Sequence, residues 1–118
     1  QVDYINFHGT STLVNDKVET LAVKNLFNHL ADKIPVSSTK SMVGHPQGAS
    51  GALGVSVSLL SLYNNFLTPT INQEKFDPDC NLDYIPNEGR EKKLDIAISN
   101  CISFGSKNSA LVLGGYPK

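Results

Sequence analysis

The sequence predicts an α/β unit, a mixed sheet with flanking and buried helices. Three observations carry this. Runs rich in β-branched and aromatic residues at Val2–Phe7 (VDYINF), Asp95–Ser103 and Ser109–Gly115 read as strands. A segment beginning near Asn15 carries Val18, Leu21, Ala22, Leu26 and Leu30 at helical spacing. From Ser41 to Gln73 there is no Asp, Glu, Lys or Arg, the mark of a helix enclosed by protein.

The elements follow in the order β, α, β, α, excursion, β, β. The first strand ends at the polar turn His8–Thr12 (HGTST). Asp16 is placed to cap the next helix and Glu19, three residues on, to bond back as in a capping box. Pro35 closes that region, and Val36–Ser38 is a short strand leading to Thr39-Lys40-Ser41. A second helix begins in the small-residue run Gly44–Ala52 and continues to about Asn64. Each glycine costs a helix about 1 kcal/mol relative to alanine, so Gly44, Gly48 and Gly51 point to close packing or a ligand. Pro69 keeps Leu67–Asn72 extended. Glu74–Lys93, with Pro78, Pro86 and Gly89, reads as an ordered surface excursion. Phe104–Asn108 is short enough to join the last two strands as an antiparallel hairpin.

Composition narrows the function. The 118 residues fit one domain, 1–118, and 40% apolar with 18% charged residues exclude a disordered chain. Ten Lys and Arg against eleven Asp and Glu leave a net charge of −1, so nucleic acid is not an expected partner. Cys80 and Cys101 form no CxxC pair, and neither has a basic neighbour that would activate it. His45, Pro46, Asn64, Asn65 and Pro69 interrupt the charge-free run, so no membrane span is expected. No basic-then-apolar leader is seen, and the chain enters a strand directly after Gln1. A piece of a longer, cytoplasmic protein is the expectation.

Three polar groups stand at element ends, where α/β folds keep their sites: His8, Lys40 and His45. Any one histidine there is ordinarily a hydrogen-bonded structural group, and a lone lysine is ordinarily solvated. His29, within the first helix, has no better reading.

Together the segments are more specific. HGTST (8–12), DKVET (16–20), SSTKSMVGHPQGASG (37–51), PTIN (69–72), LDYIPNEGR (82–90) and SNCISFGSKN (99–108) occur in one order. The chain resembles the C-terminal half of β-ketoacyl-acyl carrier protein synthases of the KAS II type, from Val2 to about Tyr116. The resemblance implies the second half of a thiolase-like α-β-α-β-α sandwich. It implies a decarboxylative Claisen condensation of an acyl thioester with malonyl-acyl carrier protein, in fatty-acid or polyketide synthesis. His8 and His45 match the family's two histidines, and Lys40 the lysine that organises charge around the second. Thr10 and Thr12 match threonines that bond the phosphopantetheine arm, and Phe104 matches a gate residue. The phosphopantetheine arrives on the carrier protein, so no resident cofactor is implied beyond a structural monovalent cation. Asn6, Glu19, Ser99 and Asn108 match ligands of that cation. The implied partners are an acyl carrier protein, an N-terminal half that supplies the cysteine nucleophile, and a second copy in a homodimer.

Three departures accompany the resemblance. Ser103 and Ser106 stand where the family's GFGG has glycines, which predicts a stiffer gate through Ser103. Pro46-Gln47 replaces apolar residues after the second histidine. The cation's remaining ligand, a glutamate, is Gly54 here, which weakens a hard-cation site. Alternative readings are a decarboxylating starter-unit synthase and a non-catalytic chain-length partner of the same fold. Retention of His8, Lys40 and His45 together opposes the second.

Overall fold

The computed structural model describes residues 1–115; Tyr116, where the resemblance ends, lies outside the described residues with Pro117 and Lys118. A four-stranded sheet runs in the order β2-β1-β5-β6. β1 (Tyr4–Asn6) lies parallel to both β2 (Val36–Ser37) and β5 (Ile96–Ser103). β6 (Lys107–Gly114) pairs antiparallel with β5 from Ile96↔Gly114 to Ser103↔Lys107, which is the expected hairpin. The excursion is ordered: β4 (Arg90–Glu91) returns to pair with β3 (Phe66–Leu67) in a small antiparallel sheet.

β1 lies inside the sheet and is buried throughout, which accounts for its β-branched and aromatic side chains. Because side chains alternate, Ile5 and Phe7 enter one core with Val23, Ala31, Ile34, Val36 and Leu82. Tyr4 enters the other with Leu62, Leu67, Ile85, Leu94 and Ala97. The Tyr4 hydroxyl ties neighbouring elements together, bonding Ser37 Oγ at 2.7 Å and Thr68 Oγ1 at 3.1 Å and accepting from Asn6 Nδ2 at 3.1 Å.

Helix α1 (Asn15–Phe27) continues as a 3-10 segment, Asn28–Lys33. Its expected capping box is absent: the N-cap is Val14 and no side chain caps the helix. Asp16 accepts instead from Ser11 N, and Glu19 from the turn beyond β1. The expected apolar face is also reversed in this chain. Val18, Leu21, Leu26 and Leu30 are exposed, while Glu19, Thr20 and Val23 face inward.

A short helix, α2 (Lys40–Val43), precedes the second expected helix and was not expected; the expected helix itself opens as a 3-10 turn (Gln47–Ala49) and continues as α3 (Ser50–Asn64). α3 is enclosed on one side only. Ser50, Gly54, Ser58, Ser61 and Leu62 are buried, while Leu59, Leu60 and Tyr63 are open. The close packing expected at Gly44, Gly48 and Gly51 falls elsewhere. A Cβ on Gly44 or Gly48 would meet nothing, and one on Gly51 would make only ordinary contact with Cys101 Sγ. Gly54 is the tight position: its Cβ would stand 2.8 Å from Ser99 Oγ and 3.1 Å from Asn6 Oδ1. Among the described residues no helix is long and apolar enough to cross a membrane.

Candidate active site

The site forms at the ends of β1 and β2 and the start of α2. Running parallel and adjacent, β1 and β2 deliver His8 and Lys40 to the same edge of the sheet. The turn after β1 is possible only with glycine at position 9. Its φ is +42°, and a Cβ there would stand 2.4 Å from Ser38 Cβ. Ser38 then donates its hydroxyl to Gly9 O at 2.8 Å.

Glu19 holds this turn from beneath. Its Oε1 accepts from His8 N at 3.0 Å and Asn100 Nδ2 at 3.4 Å. Its Oε2 accepts from Gly9 N at 2.7 Å and Asn15 Nδ2 at 2.9 Å. Burial raises the Glu19 pKa, and these four donors oppose that shift.

His8 is buried, 6% exposed, and its ring stands edge-on to His45 at 82° with centroids 5.4 Å apart. Lys40 Nζ donates to His8 O at 2.5 Å and lies 3.4 Å from His8 Nδ1. The resemblance places the lysine's influence on the second histidine; here its ammonium lies on the first. Burial first, then the charge of Lys40, lowers the His8 pKa to about 4, so the ring is neutral at physiological pH. Burial likewise lowers the Lys40 pKa, with Glu19 opposing. His45 Nδ1 accepts from Gln47 N at 3.0 Å. In both rings Nδ1 faces a donor, so the tautomer these contacts accommodate is the one with hydrogen on Nε2.

A groove of about 1130 Å³ opens beside His45, its wall including Thr10, Thr12, Lys40, His45 and Tyr84, with the buried His8 ring behind that wall. Thr10 and Thr12 share a hydrogen bond of 3.0 Å between their hydroxyls. Phe104 is not part of this assembly: it is fully exposed in the turn between β5 and β6. The strain expected at Ser103 is displaced too. Ser103 is the last paired residue of β5, and the positive φ angles belong to Gly105 (+76°) and Ser106 (+60°). Cys80 and Cys101 are both free and half-buried.

The residues matched to a cation do not fit one as placed. All four lone-pair directions of the Glu19 carboxylate are taken by N–H donors. Asn6 and Ser99 close around Gly54, while Asn108 sits opposite Ile102, toward the far end of the hairpin from Ser99.

Sequence reasoning missed Ser38, Asn15 and Asn100 as supports of the site. Only the His-Gly pair pointed toward Ser38, by requiring close backbone approach at Gly9.

Residues 1–74 match the family model for the β-ketoacyl synthase C-terminal domain. The chain belongs to the β-ketoacyl synthase family. It is 51% identical to 3-oxoacyl-[acyl-carrier-protein] synthase 2 of Coxiella burnetii, over 96% of this chain and 27% of that protein. It is 46% identical to the actinorhodin polyketide putative beta-ketoacyl synthase 1 of Streptomyces coelicolor, over 95% of this chain and 24% of that protein. Among solved structures, the ishigamide ketosynthase/chain length factor superposes with a TM-score of 0.93 at 38% identity, covering 98% of this chain and 28% of that one. A type II polyketide synthase acyl-carrier protein in complex with its ketosynthase bound to the hexaketide gives 0.95 at 37%, covering 98% and 28%. The fold is therefore the thiolase-like ketosynthase fold. The chain spans about a quarter of these β-ketoacyl synthase relatives, less than the half that its motifs implied.

Proposed function

We infer that this β-ketoacyl synthase domain supplies the condensing histidines of a 3-oxoacyl-acyl carrier protein synthase in fatty-acid or polyketide synthesis. The observation that carries this reading is the convergence of two imidazoles, each with Nδ1 facing a donor, beside a groove wall that includes Lys40 and Thr10.

A cysteine thiolate from the remainder of the protein takes the acyl group from its thioester. Malonyl-carrier protein then enters with its pantetheine arm along Thr10 and Thr12. The bond between C2 and the carboxylate breaks, CO2 leaves, and the electron pair becomes an enolate with charge on the thioester oxygen. Nε2–H groups of His8 and His45 donate to that oxygen, and preorganised donors of this kind contribute several kcal/mol. C2 attacks the acyl carbonyl, the carbon–sulfur bond breaks, and the cysteine leaves as thiolate. Condensation yields CO2, the 3-ketoacyl thioester and the regenerated cysteine thiolate with no proton taken up, while the carrier thiolate released in the earlier acyl transfer takes one proton from solvent. A neutral His8 suits the role because the developing charge draws its hydrogen bond tighter without proton transfer. Lys40 holds the His8 backbone and ring where the donor is needed.

The partners in this reading are an acyl carrier protein, the remainder of the polypeptide and a second copy in a homodimer. The named ketosynthase–carrier complex supports the first. A cytoplasmic setting accords with a carrier-protein substrate. His45→Ala in the full-length enzyme tests the assignment. Acyl transfer to the cysteine should persist while condensation is abolished, because the two half-reactions use different groups. Equal loss of both would overturn it.

A further inference from the structure

Ser50 opens α3 and is 6% exposed, with its Oγ 3.1 Å from His45 Nδ1. Gln47 N donates to the same ring nitrogen at 3.0 Å. An imidazole nitrogen has a single lone pair, so two donors converge on one acceptor. The amide proton of Gln47 is fixed by the 3-10 turn and can only donate. The hydroxyl of Ser50 rotates and is free to donate as well. A ring so held cannot carry its proton on Nδ1 without facing the Gln47 N–H. His45 is itself exposed and lies in the segment between α2 and the 3-10 turn, so beyond the edge contact with His8 its ring depends on these two donors.

We propose that Ser50 is a positioning residue for His45: with Gln47 N–H, its hydroxyl holds Nδ1 as acceptor, fixing the ring and keeping the proton on Nε2. The anchor is rigid because α3 packs closely on the sheet through Gly54, one helical turn beyond Ser50. The ring of the exposed histidine is thereby indexed to the same sheet that carries the buried one. This rests on the condensation reading above, and the test separates the two.

The experiment uses the full-length enzyme labelled with 15N-histidine, as wild type, Ser50→Ala and Ser50→Thr. In the wild type, His45 should show the Nε2–H tautomer. Ser50→Ala should free the ring to turn away from the Gln47 N–H, giving a mixture of tautomers and lowering condensation kcat by about 3- to 10-fold, with KM for malonyl-carrier protein little changed. Ser50→Thr, which keeps the hydroxyl, should restore the wild-type tautomer. A wild-type tautomer and kcat in Ser50→Ala would overturn the proposal. So would a loss of kcat that tracks a fallen unfolding midpoint and is not rescued by threonine. A wild-type enzyme that fails to condense would sink the functional reading, while the tautomer spectra would still decide the role of Ser50.

Discussion

The ammonium of Lys40 lies 2.5 Å from the carbonyl oxygen of His8 and 3.4 Å from Nδ1 of the same residue, across 32 positions of sequence. One cation thus fixes both the backbone and the ring of the buried histidine. Burial and this charge together keep the ring neutral down to a pH of about 4.

A pH dependence of stability follows. The ordinary His8 pKa is 6.5 and the folded value is about 4. Between these values the unfolded chain binds a proton that the folded chain refuses. Stability therefore falls as pH drops from about 6.5 to about 4, with a slope approaching one proton, and this contribution is level outside that window. Urea unfolding of the full-length enzyme across the window should show the slope, and His8→Asn should remove it. Lys40→Met should narrow the window from its acid end only, because burial is the larger cause. An unchanged slope in His8→Asn would assign the effect to another group.

Glu19 should matter to the site beyond its share in α1. It accepts from the backbone of His8 and Gly9, so Glu19→Ala strands two N–H donors, one buried and one half-buried. Each stranded donor costs about 1–3 kcal/mol. Glu19→Gln keeps the shape but presents an amide N–H to two of the present donors, and should fall between alanine and wild type. Chemical denaturation and malonyl decarboxylation measured on the same variants check this. A Glu19→Ala enzyme with wild-type stability and turnover would mean the turn is held by Ser38 alone.

Glu19 also shows where sequence reading stops. The strands and the closing hairpin were legible because alternation and β-branched runs are local signals, and β5–β6 pairing followed from a short connection. The histidines and Lys40 were legible through their motifs and their places at element ends. The function of Glu19 was not, because three of its four donors lie 10 and 11 residues back and 81 residues on, and only Asn15 is local. Local spacing offered a capping box, and tertiary contact won. The apolar stripe of α1 misled for a related reason. A site-bearing loop claims the inward face for Glu19 and Thr20, and leaves Val18, Leu21 and Leu26 outside. Gly54 looked like a lost ligand, whereas Asn6 and Ser99 crowd the position itself.

The isolated 118-residue chain should self-associate. Leu13, Val14, Val18, Leu21 and Leu26 are exposed along one side, Leu59, Leu60 and Tyr63 along α3, and Leu111 and Val112 on β6. β6 also ends the sheet order and presents a long strand edge. Exposed apolar area on this scale drives association. Light scattering should show species heavier than the monomer, growing with concentration and diminishing when the remainder of the protein is co-expressed. A clean monomer at high concentration would contradict this.

The hairpin turn gives two substitutions of opposite sign. Ser103 pairs with Lys107 in regular β geometry, so a glycine there gains no relief and adds unfolded-state entropy. Ser103→Gly should destabilise by about 0.5–1 kcal/mol. Ser106 holds a φ of +60°, a left-handed conformation that costs a residue bearing a Cβ about 1–2 kcal/mol. Ser106→Gly removes that cost, partly offset by the entropy of a freer unfolded chain, and should stabilise by up to about 1 kcal/mol. Phe104 sits between these positions, fully exposed. Relief at Ser106 should therefore alter how readily the Phe104 turn moves, while Ser103→Gly acts mainly by loosening the last rung. Unfolding midpoints of the two variants in the full-length enzyme give the signs. The resemblance implies that the Phe104 turn gates acyl entry, and pre-steady-state acylation with donors of several lengths tests that role. Faster acylation in Ser106→Gly than in Ser103→Gly is expected. The reverse order would return the strain to Ser103 and contradict the backbone seen here.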